Sequence, residues 1–205
     1  MSASLYGDGA ANQGQVWEAA NIAKLWGLPA IYVIENNRYG MGTSTDRHSC
    51  NDQYYTSGGR VIPGIRVDGM DVLAVREAMA HAKDFAGNGN GPLFVEMMTY
   101  RYHGHSMSDP GITYRDREEV SNVRKTQDCL AGLKERIVSS GAASEADLKA
   151  LEKEVRAEVN AGLKAAKAGA EPALGEVFTD VIWGEQYPYV RAVEYKDSVF
   201  HKSEF

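Results

Sequence analysis

Three short apolar runs, separated by stretches of helical period, restrict this chain to a narrow set of folds. They are residues 3–6, Ala30-Ile31-Tyr32-Val33-Ile34 and Leu93-Phe94-Val95-Glu96-Met97. Apolar runs of this length, bounded by turn residues, read as buried strands. Residues 13–26 between the first two runs carry Val16, Ala20, Ala23 and Leu25 on or near one face, and Gly27 and Pro29 end the pattern. Residues 71–85 repeat Val72, Val75, Met79, Ala82 and Ala86 at helical spacing, with Met79 a filler of the core stripe. Residues 87–91 are its exit, and Pro92 opens the third strand. Strand–helix–strand, repeated, is the pattern of an α/β fold: a parallel sheet with helices on both faces. Ligands of such sheets sit beyond the carboxyl ends of the strands. Here those ends are Gly7-Asp8-Gly9, Glu35-Asn36-Asn37 and Tyr100-Arg101-Tyr102-His103-Gly104-His105, where the polar chemistry of the chain is concentrated.

After Tyr114 the character changes. Residues 117–140 and 144–168 read as charged amphipathic helices, the second opened by Ser144 and Asp147 as a weak capping pair. Its stripe of Leu148, Leu151, Val155, Val159 and Leu163 is expected to pack onto its own domain. A short helix over 174–183 and an aromatic tail (Tyr187, Tyr189, Tyr195, Phe200, Phe205) follow Pro172. Aromatic residues are favoured at subunit contacts, so the tail is expected to meet a partner. The expected division is a cofactor-binding α/β core over 1–114, and over 115–205 a helical carboxy-terminal region with its partner-contacting tail. Both belong to one domain. Only residues 3–6 precede the turn at Asp8, a short strand for mid-sheet, so the domain is expected to lack its amino-terminal part.

Composition excludes several classes. Apolar residues at 43% and charged residues at 24% suit a globular protein. A net charge of −6, from 22 basic and 28 acidic side chains, argues against a nucleic-acid partner, which needs a concentrated basic face. Cys50 and Cys129 form no CxxC pair, against a disulfide scaffold or zinc ribbon. No apolar run has the length of a membrane span. The first nine residues have neither the charged region nor the apolar stretch of a targeting segment.

The segment GDGAANQG (7–14) places a hard carboxylate, Asp8, at a strand end, followed by residues small enough for a phosphate to approach the backbone. Alone it reads equally well as a plain tight turn. Asn37 stands twenty-nine positions later, at the end of the next strand, within ENNRYGMG. Adjacent parallel strands bring their carboxyl ends together, so Asp8 and Asn37 can share one cation. Mg²⁺ prefers six oxygens, commonly including phosphate and water. A neutral Asn avoids the repulsion a second carboxylate would raise against a diphosphate. A polar Asn-Asn turn is the plainer alternative.

The GDG–NN pair resembles the thiamine diphosphate motif, and ENNRYGMGTS, IPGIRVDGMD and TYRYHGHSMSDPG extend the resemblance to the alpha subunits of pyruvate dehydrogenases, carboxy-terminal portion. It is close over residues 5–136 and looser beyond. It implies a thiamine diphosphate-binding fold, with Mg²⁺ held by Asp8, Asn37 and the main-chain oxygen of Tyr39, and Gly9 and Ala10 lining the diphosphate. It implies oxidative decarboxylation of pyruvate with acetyl transfer to a lipoyl group, in the mitochondrial matrix. The implied partners are a beta subunit in an α2β2 heterotetramer, the lipoyl domain of the acetyltransferase component, and a regulatory kinase and phosphatase. The carboxylate that activates the coenzyme comes from the beta subunit in this family, and Glu18 does not match its position. The alternatives are the alpha subunit of acetoin or branched-chain 2-oxo acid dehydrogenase, the latter commonly departing from these motifs, and a non-catalytic subunit-interaction piece.

Loop residues 100–115 (YRYHGHSMSDPGITYR) offer His103 and His105. Read from residue types alone they are solvated loop histidines, or with Asp109 an incomplete zinc site. The resemblance implies that His105 lies at the coenzyme and assists catalysis by hydrogen bonding and charge, while Arg101 and Tyr102 order the loop. It also implies regulatory phosphorylation at Ser106 and Ser44. Thr113 stands where the mammalian pattern has Ser. A phosphate beside a bound diphosphate adds nearly two like charges.

Overall fold

In the computed structural model, which describes residues 1–174 and residue 176, the three apolar runs become neighbouring strands of one parallel sheet. β1 (Ser2–Gly7) pairs with β2 (Ala30–Asn36), and beyond a small hairpin of β3 (Tyr39–Gly40) and β4 (Thr43–Ser44) and one helical turn, α3 (Thr45–His48), the chain enters β5 (Gly64–Asp68) and later β6 (Leu93–Met98). The sheet order is β1-β2-β6-β5, all parallel, with Gly7 opposite Glu35 and Asn36 opposite Met98. The carboxyl ends therefore emerge along one edge. β5 was not anticipated. GIRVD is short, opens on Gly and lies at the sheet edge, so it gives little apolar signal. Its Gly64 is obligatory, since a Cβ there would overlap Tyr55 O.

Period two along β2 and β6 divides the core. Ile31, Val33, Leu93, Val95 and Met97 face α4 (Val72–Phe85), meeting Ala74, Val75, Ala78, Met79, Ala82 and Phe85. Tyr32, Ile34 and Phe94 face the other way, onto Val16, Ala20 and Ala23 of α2 (Gly14–Leu25) and onto Tyr54 and Ile62. Helices thus cover both faces. Met79 packs on the core stripe as expected, and Asp71 caps α4 through Leu73 N at 2.9 Å. Leu25 does not join its expected face. Five residues past Ala20, a helix has turned some 140° from the buried side, and Leu25 is 77% exposed.

The helix begun by the Gly-rich turn also differs. Asp8–Ala11 form one separate turn, α1, and α2 starts only at Gly14. The expected helix over 117–140 is two, α5 (Arg117–Thr126) and α6 (Cys129–Ser139), because the Asp128 side chain accepts from Leu130 N and Ala131 N and starts a new helix. One compact unit spans Met1–Glu145, and a second starts at Ala146. The helix α7 (Glu145–Ala168), in the second unit from Ala146 on, has no buried residue; of the stripe expected to pack on its own domain, Leu148 is half-buried and Leu151, Val155, Val159 and Leu163 are exposed. The aromatic tail from Tyr187, and the expected helix beyond Leu174 apart from Glu176, lie outside the described residues. No described helix is long and apolar enough to cross a membrane.

Phe94 is 1% exposed and its ring packs tilted by 31° against Tyr32, at 5.1 Å between ring centroids. Phe94→Ala should cost about 3–5 kcal/mol in denaturant unfolding, and Phe94→Leu markedly less.

Candidate functional site

At the end of β1 the backbone turns sharply into α1, and Asp8 is carried inward until it is fully buried. Its Oδ2 lies 3.2 Å from His48 Nε2, while Oδ1 is buried with no hydrogen-bond partner. An unpartnered carboxylate oxygen is costly unless a cation or donor completes it. Asn12 fixes the histidine. Its amide nitrogen faces Asp8 O at 3.0 Å, which only accepts, and also meets His48 Nδ1 at 3.1 Å. His48 Nδ1 therefore accepts and Nε2–H donates to Asp8. Nothing in the sequence flagged His48, forty positions from Asp8.

Gly9 and Ala10 are exposed at the same turn. A Cβ on Gly9 would stand 3.1 Å from Gly40 Cα, so the turn and the β3–β4 hairpin meet backbone to backbone. The hairpin that carries Tyr39 thus packs on the turn that carries Asp8. Arg38 at φ +68 and Met41 at φ +58 occupy the left-handed region, at a cost of about 1–2 kcal/mol each for residues with a Cβ. Those two twists fold the segment back on itself. Asn37 Oδ1 and Tyr39 O then point at a common group, the Arg101 Nη1, at 3.4 and 3.2 Å. These are two oxygens expected to hold the metal, and both already face a cation.

Arg101 does more than order its own loop. Nη2 donates to Met41 O at 2.6 Å and to Tyr114 OH at 2.9 Å, and Nε donates to His103 O at 3.2 Å. Tyr114 OH donates to Asp109 Oδ2 at 2.6 Å, and its ring closes over Gly42, where a Cβ would be 3.0 Å away. Asp109 also accepts from the amides of His105 and Gly111, both at 2.8 Å. Arg115, 4% exposed, donates to the carbonyls of Arg101 and His103, its guanidinium 5.3–5.6 Å from the ring centres of Tyr39, Tyr100 and Tyr114. Arg115 was visible in the sequence only as the last letter of a loop. Its role depends on three aromatic rings that fold around it.

His105 and Ser106 are both exposed, and the His105 ring makes no hydrogen bond among the described residues. Ser106 Oγ lies 3.0 Å from Ser108 Oγ. Ser44 is half-buried and pairs directly with Tyr39 across the hairpin. Thr113 is exposed. No three His, Cys, Asp or Glu side chains converge among the described residues, so a zinc site built on His103, His105 and Asp109 is not realised. A cavity of about 470 Å³ opens beyond β2 and β6, lined by Asn37, Tyr39, Ser44, Asp46 and Tyr100 among others. The Tyr100 hydroxyl donates to Glu119 at 2.8 Å, and burial with that carboxylate pushes its pKa up to about 12.

The sequence matches the dehydrogenase E1 component family over residues 1–174. It is 61% identical over 163 residues to the probable pyruvate dehydrogenase E1 component subunit alpha, mitochondrial, of Caenorhabditis elegans, covering 80% of this chain and 41% of that protein. Against the type I mitochondrial subunit alpha of Ascaris suum it is 51% identical over 199 residues, 97% of this chain and 50% of the relative. The somatic form of Homo sapiens is 53% identical over 174 residues, 85% of this chain and 44% of the relative. The chain thus spans half or less of the length of these relatives.

Asp109 generates a prediction. The His105 amide, the Tyr114 hydroxyl, the Gly111 amide and the Arg101 charge hold its carboxyl at about 2, against an opposing effect of burial. A depressed carboxyl stabilises the loop above its unfolded value near 3.8 and loses that contribution as pH falls through its folded value. Loop cleavage by pepsin should therefore rise between about pH 4 and 2. Asp109→Asn, which cannot accept all three bonds, should speed tryptic cleavage in the loop at neutral pH by about tenfold.

Proposed function

Because this chain belongs to the dehydrogenase E1 component family, we propose that it supplies the coenzyme- and metal-binding part of a pyruvate dehydrogenase alpha subunit. The observation that carries this reading is the buried, half-satisfied Asp8 carboxylate, set beside a backbone approach that excludes side chains. The bound coenzyme would be thiamine diphosphate, which supplies the carbanion chemistry of 2-oxo acid decarboxylation. Asp8 Oδ1, Asn37 Oδ1 and Tyr39 O would hold Mg²⁺, one anionic oxygen and two neutral ones. Diphosphate oxygens and water complete such a shell. Exposed Gly9 and Ala10 would let the diphosphate lie against main-chain amides, and His48 would keep Asp8 oriented through its Nε2–H.

The loop anchored by Arg101, Tyr114, Asp109 and Arg115 would present His105 to substrate. Pyruvate would be decarboxylated and the acetyl unit passed to a lipoyl group of the acetyltransferase component. A beta subunit would contribute the remaining catalytic groups in an α2β2 assembly in the mitochondrial matrix. Ser106, exposed next to His105, is the proposed principal site for a kinase and phosphatase, with Ser44 and Thr113 as further sites.

The test is calorimetry on the full-length alpha subunit assembled with its beta subunit. Asp8→Ala should abolish Mg²⁺-dependent binding of thiamine diphosphate, and Asn37→Asp should weaken it by adding repulsion; unchanged affinity in Asp8→Ala would sink the assignment. The regulatory reading has its own assay, acetylation of a lipoyl domain at saturating coenzyme. Like charges several ångströms apart in a partly dehydrated cleft repel by about 1 kcal/mol or more. Ser106→Glu should nearly abolish transfer and Ser106→Ala retain it. Wild-type rates in Ser106→Glu would exclude an electrostatic switch.

A further inference from the structure

Glu96 is the one acidic residue within the apolar strand β6, and it is fully buried. Its Oε1 accepts from Asn36 Nδ2 at 2.7 Å and its Oε2 accepts from Tyr55 N at 3.2 Å. The nearest cation, Arg66, is partly exposed and stands 4.0 Å away. A buried carboxyl group in the middle of a sheet is expensive to keep and needs a reason.

The reason lies one bond further on. Asn36 is 2% exposed, and its Oδ1 accepts from Arg38 N at 3.0 Å. The Arg38 N–H only donates, so it takes Asn36 Oδ1 and leaves Nδ2 for Glu96, which fixes the Asn36 side chain in one orientation. The bond to Arg38 N closes a local turn around Asn37, and Arg38 is the residue held at φ +68. Asn36 O accepts from Thr99 N at 3.0 Å, tying the same residue to the end of β6. Asn37 and Tyr39 flank Arg38, so the turn that Asn36 enforces sets the directions of both neutral oxygens.

We propose that Glu96, acting through Asn36, is a positioning residue for the metal site: this buried pair holds the Asn37-Arg38-Tyr39 turn in the shape that aims Asn37 Oδ1 and Tyr39 O at one cation. The inference rests on the metal-binding reading given above and assigns the first Asn of the Asn-Asn pair a task distinct from ligation. Outer-shell partners of this kind typically change metal affinity by 10- to 100-fold when broken.

The experiment measures Mg²⁺ affinity of the full-length alpha–beta assembly with thiamine diphosphate, by calorimetry, and Mn²⁺ affinity by electron paramagnetic resonance, alongside thermal unfolding. Asn36→Asp sets two acceptors against each other and should weaken the metal by about tenfold or more. In the double variant Asn36→Asp/Glu96→Gln the new amide can donate to the new carboxylate and still accept from Tyr55 N. The acceptor for Arg38 N is retained, and affinity should return to within about threefold of wild type. Val95→Ala, in the same strand on the opposite face, controls for instability and should lower the unfolding temperature without moving metal affinity. Should Asn36→Asp fail to assemble, Asn36→Ser, too short to join Glu96 to Arg38, carries the same comparison.

Wild-type affinity in the Asn36 variants overturns the inference, as does failure of the double variant to recover or an equal loss in Val95→Ala. Asp8→Ala separates the two levels. If it also binds metal normally, the metal reading itself fails; if it loses metal while the Asn36 variants do not, only the role of Glu96 does.

Discussion

Because β1, β2 and β6 pair in parallel, the turn at Asp8, the turn at Asn37 and the loop from Tyr100 must emerge at the same edge of the sheet. Each of these segments is polar and irregular, and none could gather its groups alone. The sheet beneath is rigid because both of its faces are packed, one on α4 and the other on α2 with Tyr54 and Ile62. Rigidity matters at this edge, since any ligand constellation tolerates little error in the aim of its polar groups.

Two polar devices convert that edge into a site. From below, Glu96 and Asn36 brace the Asn37 turn with bonds buried in the sheet. From above, the Arg101 guanidinium reaches Asn37, Tyr39 and Met41 on one side and Tyr114 and His103 on the other. The Asn37–Tyr39 turn and the loop from Tyr100 therefore share the Arg101 guanidinium as a common tie. Through Tyr114 that tie continues to Asp109, and from Asp109 to the amide of His105. Ser106 thus lies on a loop whose anchor also touches the Asn37–Tyr39 turn.

Much of the fold was legible before any coordinates. The runs at 30–34 and 93–97 are strands, Asp71 begins α4 and Met79 packs in its core stripe. The failures have local causes. The strand at Gly64–Asp68 is too short and too polar to stand out, Leu25 has rotated off its helix face, and Asp128 restarts a helix that charge pattern alone made continuous. At the site, Asp8, Asn37 and Tyr39 were named from motif and resemblance, whereas His48, Arg115 and the task of Glu96 were not. Those three act through partners 40, 12 to 14 and 60 positions away, and no periodic signal spans such gaps.

Sequence by itself determined the parallel α/β architecture, since the runs at 30–34 and 93–97 are almost wholly apolar, as strands covered on both faces are, and segments of helical period separate the strands. It also placed polar chemistry at the strand ends, because Gly7-Asp8-Gly9, Asn36-Asn37 and His103 to His105 follow the apolar runs there. Tertiary structure decided which oxygens of those clusters face one another. It left Asp8 Oδ1 buried without a partner, set Arg101 between turn and loop, and placed Ser44 opposite Tyr39. The reason is geometric: hydrophobic pattern fixes the face a residue occupies, but the direction of a side-chain or carbonyl oxygen depends on left-handed turns and buried hydrogen bonds that exist only once the strands are side by side.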